Sequence, residues 1–75
     1  MAKLPVVSGR DVIKVLTKIG FVTDRVKGSH VFMIRKEPKF LAVSVPNHKE
    51  LKKGTLGNIL DMAELETDDF VKLLK

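Results

Sequence analysis

Three consecutive residues, Gly28-Ser29-His30, are the part of this sequence whose residue types best suit proton-transfer chemistry. They lie between a basic run of strand-forming residues, Val22–Lys27, and an apolar run, Val31–Arg35. A Gly-Ser pair between two such runs is typical of a two-residue β-hairpin turn with glycine at its first central position. The sequence therefore predicts a histidine at the tip of a β-hairpin.

The predicted hairpin places two cations beside this histidine. In a two-residue hairpin Lys27 pairs with His30 across the ladder, so that the two side chains leave the same face of the sheet. Arg25, two residues before Lys27, lies on that face as well. An imidazole beside an ammonium and a guanidinium is suited to binding a phosphate group and to transferring protons there.

A helix is expected before the hairpin. Ser8 is a typical N-cap residue, and Asp11 can return a hydrogen bond to it in a capping box. Apolar residues then recur at helical spacing until Gly20, which is a typical C-terminal stop. A basic ridge on another face of this helix consists of Arg10, Lys14 and Lys18.

Three strands and two further helices follow in the predicted order. The predicted strands are Val22–Lys27, His30–Arg35 and Leu41–Val45. Thr55 is a candidate cap for a second helix, and a short third helix is expected to begin near Thr67. Grouped strands flanked by helices predict an α+β fold, in which the helices cover one face of a three-stranded antiparallel sheet and leave the other face open.

Length and composition narrow the class of protein. With 75 residues we expect one domain over residues 1–75, near the smallest size that a hydrophobic core supports unaided. The sequence has no cysteine, which excludes thiol chemistry and fits a cytoplasmic protein. No apolar run is long enough to cross a bilayer and no secretory segment follows the first residues, so we expect no membrane partner.

The charge is divided unevenly along the chain. Residues 1–53 carry twelve Lys and Arg against four Asp and Glu, whereas residues 54–75 carry two against five. These net charges of +8 and −3 together give the total of +5. Because neutralising a phosphate backbone needs many cations on one side, the basic part favours a nucleic-acid partner.

A second basic segment precedes the predicted second helix. Residues 46–54 contain His48, Lys49, Lys52 and Lys53. The backbone amides and the dipole at a helix start favour anions, so we expect this segment to form a phosphate-binding site.

The motifs of the chain, taken in order, resemble those of a known family. They are Ser8-Gly9, Gly20-Phe21, Gly28-Ser29-His30, Val45-Pro46 followed by His48, Lys53-Gly54-Thr55-Leu56, and Phe70 with Leu73-Leu74. No single motif is specific, but this ordered set, which covers nearly the whole chain, resembles the HicA-like toxins, also called the YcfA-like family. Members of that family are small mRNA interferases of HicAB toxin-antitoxin systems.

The resemblance implies a fold like that of double-stranded RNA-binding domains, with the order α-β-β-β-α followed here by the short third helix. It also implies a ribonuclease whose catalytic residue is His30, with mRNA as substrate and a HicB-like antitoxin as protein partner. One departure is Val31, because many members have a second polar or histidine residue at that point. Any helper role of that residue is therefore absent from this chain.

The predicted chemistry requires few groups. RNA supplies its own nucleophile, the 2′-hydroxyl, so that a minimal ribonuclease needs only proton transfer and charge stabilisation. Histidine suits the first task, and Lys27, Arg25 or Lys53 the second. No metal-ligand pattern stands out, so we expect metal-independent cleavage without a cofactor. The residues expected to bind RNA are Arg25, Lys27, Gly28, Ser29, His48, Lys49, Lys52 and Lys53.

Other interpretations of the same residues are possible. The alternative function is a non-catalytic RNA-binding module of the same fold, which would recognise A-form RNA by its shape. A lone histidine such as His30 is more often structural, and the family resemblance reverses that preference. For His48, a backbone contact or an accessory role in RNA binding is preferred over catalysis. DNA binding by the two C-terminal helices is disfavoured because that segment is acidic.

Overall fold

The computed structural model describes residues 3–74, which form six elements. Their bounds are α1 Gly9–Lys18, β1 Val22–Lys27, β2 His30–Arg35, β3 Leu41–Pro46, α2 Lys53–Met62 and α3 Thr67–Leu73. The predicted α+β class, the order of the elements and the short third helix are therefore confirmed.

The three strands form one antiparallel sheet in the order β1-β2-β3. Alternate residues of β2 and β3 are buried, which shows that one face of these strands is covered. The helices pack mainly on β3, whereas all six residues of β1 are exposed. The core residues of the sheet are Val31, Met33, Leu41, Val43 and Val45, and those of the helices include Val12, Leu16, Leu56, Leu60 and Phe70.

Helix α1 begins with the predicted capping box. The hydroxyl oxygen of Ser8 accepts a hydrogen bond from the Asp11 N–H, and the Asp11 carboxylate accepts one from the Ser8 N–H, both at 3.1 Å. The bond from the Ser8 backbone lowers the pKa of Asp11 below its usual 3.8, with smaller contributions from the Ser8 side chain and from the charges of Lys14 and Arg10. This box fixes the chain where it enters α1.

Two predicted boundaries are wrong, the first by one residue and the second by three. Strand β3 ends at Pro46, not at Val45. Helix α2 begins at Lys53 with Lys52 at the N-cap, so Thr55 lies inside the first turn and is not the cap. The helix begins early because Leu51 is buried and donates its N–H to the carbonyl oxygen of Val7 at 2.8 Å, which fixes the chain just before the N-cap.

No helix within residues 3–74 is both long enough and apolar enough to cross a membrane.

Candidate functional site

The turn that joins β1 to β2 has the predicted conformation. Gly28 has φ +59°, in the left-handed region that favours glycine, whereas Ser29 does not have a positive φ. A positive φ at the first central residue alone is the pattern of a type II′ turn. No atom lies within 4 Å of the position that a Cβ on Gly28 would take, so the backbone conformation, not space, requires glycine there.

His30 lies at the tip of the hairpin, on the open face of the sheet. It pairs with Lys27 of β1 and with Pro46 of β3, and its side chain is exposed. The next residue of the strand, Val31, is buried on the opposite face. Strand alternation therefore confirms that the imidazole of His30 and the ammonium of Lys27 project from the same, uncovered face.

Arg25 continues the row of cations along this open face. It is the register partner of Phe32, and its guanidinium carbon lies 4.8 Å from the centroid of that aromatic ring. This cation–π contact holds the guanidinium over the sheet two positions along from His30. A β-bulge between Thr23 and Arg25 interrupts the register near the start of β1. From Arg25 to Lys27 the pairing of β1 with β2 is regular.

The loop after β3 is held against the hairpin turn by backbone hydrogen bonds. The N–H of Asn47 donates to the carbonyl oxygen of Ser29 at 2.6 Å, and the N–H of His48 donates to that of Pro46 at 2.9 Å. The carbonyl oxygen of His48 accepts from the N–H of Gly9 at 2.9 Å. The loop therefore connects the hairpin tip to the start of α1.

A side-chain contact completes this junction. The Ser29 hydroxyl oxygen lies 3.4 Å from Nε2 of His48, and both residues are exposed. We call the surface formed by Lys27, Ser29, His30 and His48 the tip cluster. It brings both histidines of the chain next to Ser29, since His30 follows this serine directly.

The remaining predicted binding residues lie in the continuation of the same loop. Lys49, Lys52 and Lys53 are exposed, and buried Leu51 anchors this stretch by its hydrogen bond to Val7. Lys52 and Lys53 stand at the N-terminal end of α2, whose first turn has no acidic residue. The positive end of the helix and the two ammonium groups therefore favour an anion together.

The predicted basic ridge of α1 is not uniform. Arg10 and Lys14 are exposed, and Arg10 follows the residue that bonds to the loop. Lys18 instead donates from Nζ to the carbonyl oxygen of Leu73 at 2.7 Å, at the end of α3. The ridge therefore runs from the tip cluster toward the acidic C-terminal segment.

Sequence reasoning gave no role to two residues that build the site. Asn47 bonds to the hairpin turn, and Gly9 lies so close to Pro46 that a Cβ at position 9 would overlap the Pro46 carbonyl oxygen. The signal for Gly9 was its place directly after the helix cap, where glycine has no advantage for the helix itself. For Asn47 the only signal was its position after the proline that ends β3.

A surface cavity of about 650 Å³ lies away from the tip cluster, where Leu4 approaches α2 and α3. Its rim includes Asp61, Glu64, Glu66 and Asp68. Four carboxylates repel a phosphate backbone, so this cavity is poorly suited to bind a nucleic acid. Within residues 3–74, no three His, Cys, Asp or Glu side chains are grouped as metal ligands would be.

Comparison with known families gives the class of this fold and site. The family model described as the HicA toxin of bacterial toxin-antitoxin systems matches residues 9–65 of the 75-residue chain. The match includes the hairpin turn, the loop that carries His48 and the start of α2. The chain therefore belongs to the HicA toxin family, as the ordered motifs predicted, and an antitoxin is its implied protein partner. No curated protein matches the chain.

Proposed function

We propose that this toxin is an endoribonuclease that cleaves mRNA without a metal ion, with His30 as the catalytic residue. The observation that carries the proposal is the pairing of Lys27 with His30 at an exposed hairpin tip, on the face that the helices leave open. This arrangement presents an imidazole, which can both donate and accept a proton, beside a positive charge, with no cover over either.

The reaction that these groups support is transesterification within RNA. The 2′-oxygen attacks the adjacent phosphorus while the bond from phosphorus to the 5′-oxygen breaks, which leaves a 2′,3′-cyclic phosphate and a 5′-hydroxyl. His30 transfers a proton in this step, and such general acid–base help accelerates a reaction by about 10²–10⁴-fold. Lys27 and Arg25 stabilise the negative charge that grows on the phosphate oxygens.

RNA binding is assigned to the surface that surrounds His30. Its members are Arg25, Lys27, Gly28, Ser29, His48, Lys49, Lys52 and Lys53. These residues follow one continuous path from the open sheet face through the hairpin turn to the start of α2. Within residues 3–74 none of their cations forms an ion pair, which leaves them available to phosphates. We further propose that the protein acts in the cytoplasm as one domain, and that a HicB-like antitoxin silences it by covering this surface.

The second candidate is an RNA-binding module that does not cleave. The same exposed cations favour it, because they would bind a phosphate backbone whether or not His30 reacts. The binding module differs from the endoribonuclease in one testable respect, because it would leave bound RNA intact.

Cleavage in the presence of a chelator separates the two candidates. Purified protein is incubated with end-labelled RNA and EDTA, alongside a DNA strand and a 2′-O-methyl RNA of matched sequence. We expect fragments from RNA alone, with 2′,3′-cyclic phosphate ends. Intact RNA would favour the binding module, and activity that requires added magnesium would contradict the metal-independent route.

A further inference from the structure

Two imidazoles flank Ser29, and the proposed reaction has so far used only one of them. His30 follows Ser29 in the chain, and Nε2 of His48 lies 3.4 Å from the Ser29 hydroxyl oxygen. The two histidines come from different segments, which the bond from Asn47 N–H to the Ser29 carbonyl joins at 2.6 Å. The second imidazole is thus beside the turn because the backbone places it there.

The backbone of His48 is fixed from both sides. Its N–H bonds to the Pro46 carbonyl oxygen and its own carbonyl oxygen accepts from the Gly9 N–H, each at 2.9 Å. The side chain itself is exposed and contacts the chain through the weak, long bond to Ser29. A ring held in place yet open to solvent can exchange its serine contact for a contact with a bound substrate.

RNA transesterification has two proton transfers, one at each end of the reacting phosphate. The 2′-hydroxyl loses a proton as it attacks, and the departing 5′-oxygen gains one as its bond to phosphorus breaks. A single imidazole can serve both ends only by moving between them, whereas two imidazoles can act at the same time. The tip cluster holds two imidazoles.

We infer that His48 is the second catalytic residue, the group that donates a proton to the 5′-oxygen leaving group while His30 accepts the proton of the 2′-hydroxyl. The inference rests on the proposed ribonuclease function, and it names the residue that acts as general acid in that reaction. In its charged form His48 can only donate from Nε2, and the Ser29 hydroxyl oxygen is then its acceptor until substrate replaces it. After cleavage His30 carries the extra proton, and exchange with water restores both rings.

Other charged groups belong to the elements that meet His48, and they contribute to any pH dependence. They are Lys27 and His30 of the hairpin, Arg10 and Asp11 of α1, Lys49 and Glu50 of the loop, and Lys52 and Lys53 near the start of α2. Asp11 stays ionised over the working range, since its pKa is lowered by the capping box. Of these groups, the two histidines carry an imidazole, whose neutral ring donates a proton from one nitrogen and accepts one at the other.

The test compares His48→Gln with His30→Ala on two substrates. One is a short RNA with the natural 5′-oxygen at the cleavage point, and the other carries sulfur there, a leaving group that needs no proton. On the natural RNA we expect His48→Gln to lower kcat/KM by about 10²–10⁴-fold and to remove one limb of a bell-shaped pH profile. On the sulfur substrate it should cleave within a few-fold of the unmodified protein, whereas His30→Ala should remain slow. Lys72→Gln, an exposed change on α3, is the matched control for loss of a basic side chain.

Each outcome has one meaning. If His48→Gln weakens binding of 2′-O-methyl RNA but keeps the rate and both limbs of the pH profile, His48 is a binding residue and the inference is wrong. If the sulfur substrate rescues His30→Ala instead, the assignment of the donor is wrong. If the unmodified protein cleaves neither substrate, the proposed function fails first, and the inference fails with it.

Discussion

Gly9 and Pro46 are in direct backbone contact, although 37 positions separate them in the chain. A Cβ atom at position 9 would overlap the carbonyl oxygen of Pro46 and would lie 2.8 Å from Cα of Asn47. The same glycine donates its N–H to the carbonyl oxygen of His48 at 2.9 Å. The start of α1 therefore fixes the loop that carries His48 against the hairpin turn.

Replacement of Gly9 by alanine should consequently disturb both stability and the tip cluster. The methyl group meets backbone atoms, which cannot give way as a flexible side chain would, so we expect a loss of about 1–3 kcal/mol in the free energy of unfolding. Gly54→Ala is the matched control, because nothing lies within 4 Å of its added Cβ and alanine favours a helix by about 1 kcal/mol. Urea titration of the two variants measures the difference. Equal stability of Gly9→Ala and the unmodified protein would contradict the close contact.

Local rules explain why the hairpin and the start of α1 could be predicted. The Gly28-Ser29 turn and the box of Ser8 with Asp11 each depend on residues within four positions of one another. The contact between Ser29 and His48 could not be predicted in this way, because it depends on how β3 and its loop pack beside the hairpin. The cap assigned to Thr55 failed for the same reason, since a distant bond to Val7 sets where α2 begins.

Loss of the His30 imidazole should abolish activity without unfolding the protein. His30→Ala should lower RNA cleavage by at least about 10²-fold, the lower limit for lost acid–base help, and should relieve growth inhibition in cells. Because His30 is exposed, this substitution should change the free energy of unfolding of the protein by no more than about 0.5 kcal/mol. Initial cleavage rates and a urea titration on the same preparation check both expectations. A folded His30→Ala protein that cleaves at the normal rate would contradict the catalytic assignment.

The lysines before α2 should contribute to RNA affinity through phosphate contacts. Lys52→Gln with Lys53→Gln, made in the His30→Ala protein so that RNA stays intact, should weaken binding and flatten its salt dependence. Two lost contacts reduce the slope of log K against log salt by roughly 1.4–1.8. Lys36→Gln with Lys72→Gln is the matched control, because it removes the same charge beyond the far end of β2 and on α3. RNA binding is measured by fluorescence anisotropy. Equal salt slopes for the two double variants would show that Lys52 and Lys53 do not contact the RNA.

The capping box should make part of the stability depend on acid pH. The pKa of Asp11 is lowered in the folded protein, so its stabilising contribution is fully present above about pH 4, its unfolded value, and is lost as the pH falls through the lower folded value. Ser8→Ala removes this cap and should cost about 1 kcal/mol at pH 7. We expect the difference between Ser8→Ala and the unmodified protein to narrow below pH 4 in urea titrations. If the difference in the free energy of unfolding stays constant across that pH range, the pKa of Asp11 does not depend on the capping box.

The antitoxin and RNA should compete for the tip cluster. His30, Lys27 and Arg25 project from one small open face, so a protein that covers this histidine must also contact the two cations that we propose to bind phosphates. Such a partner needs acidic groups at that contact, because burying Lys27 and Arg25 unpaired would cost several kcal/mol. Labelled 2′-O-methyl RNA bound to the toxin should therefore be displaced in proportion to added antitoxin.

Charge reversal at Lys27 tests whether RNA and antitoxin both contact the hairpin. Lys27→Glu should weaken the binding of both RNA and antitoxin, since each meets a repelling charge where it had an attractive one. Lys72→Glu makes the same change on α3, outside the basic part of the chain, and should weaken neither. Because Lys27 is exposed at the hairpin tip, both variants should retain the fold. A ternary complex of toxin, RNA and antitoxin, detected by gel filtration with both partners bound, would show that the antitoxin inhibits from another surface.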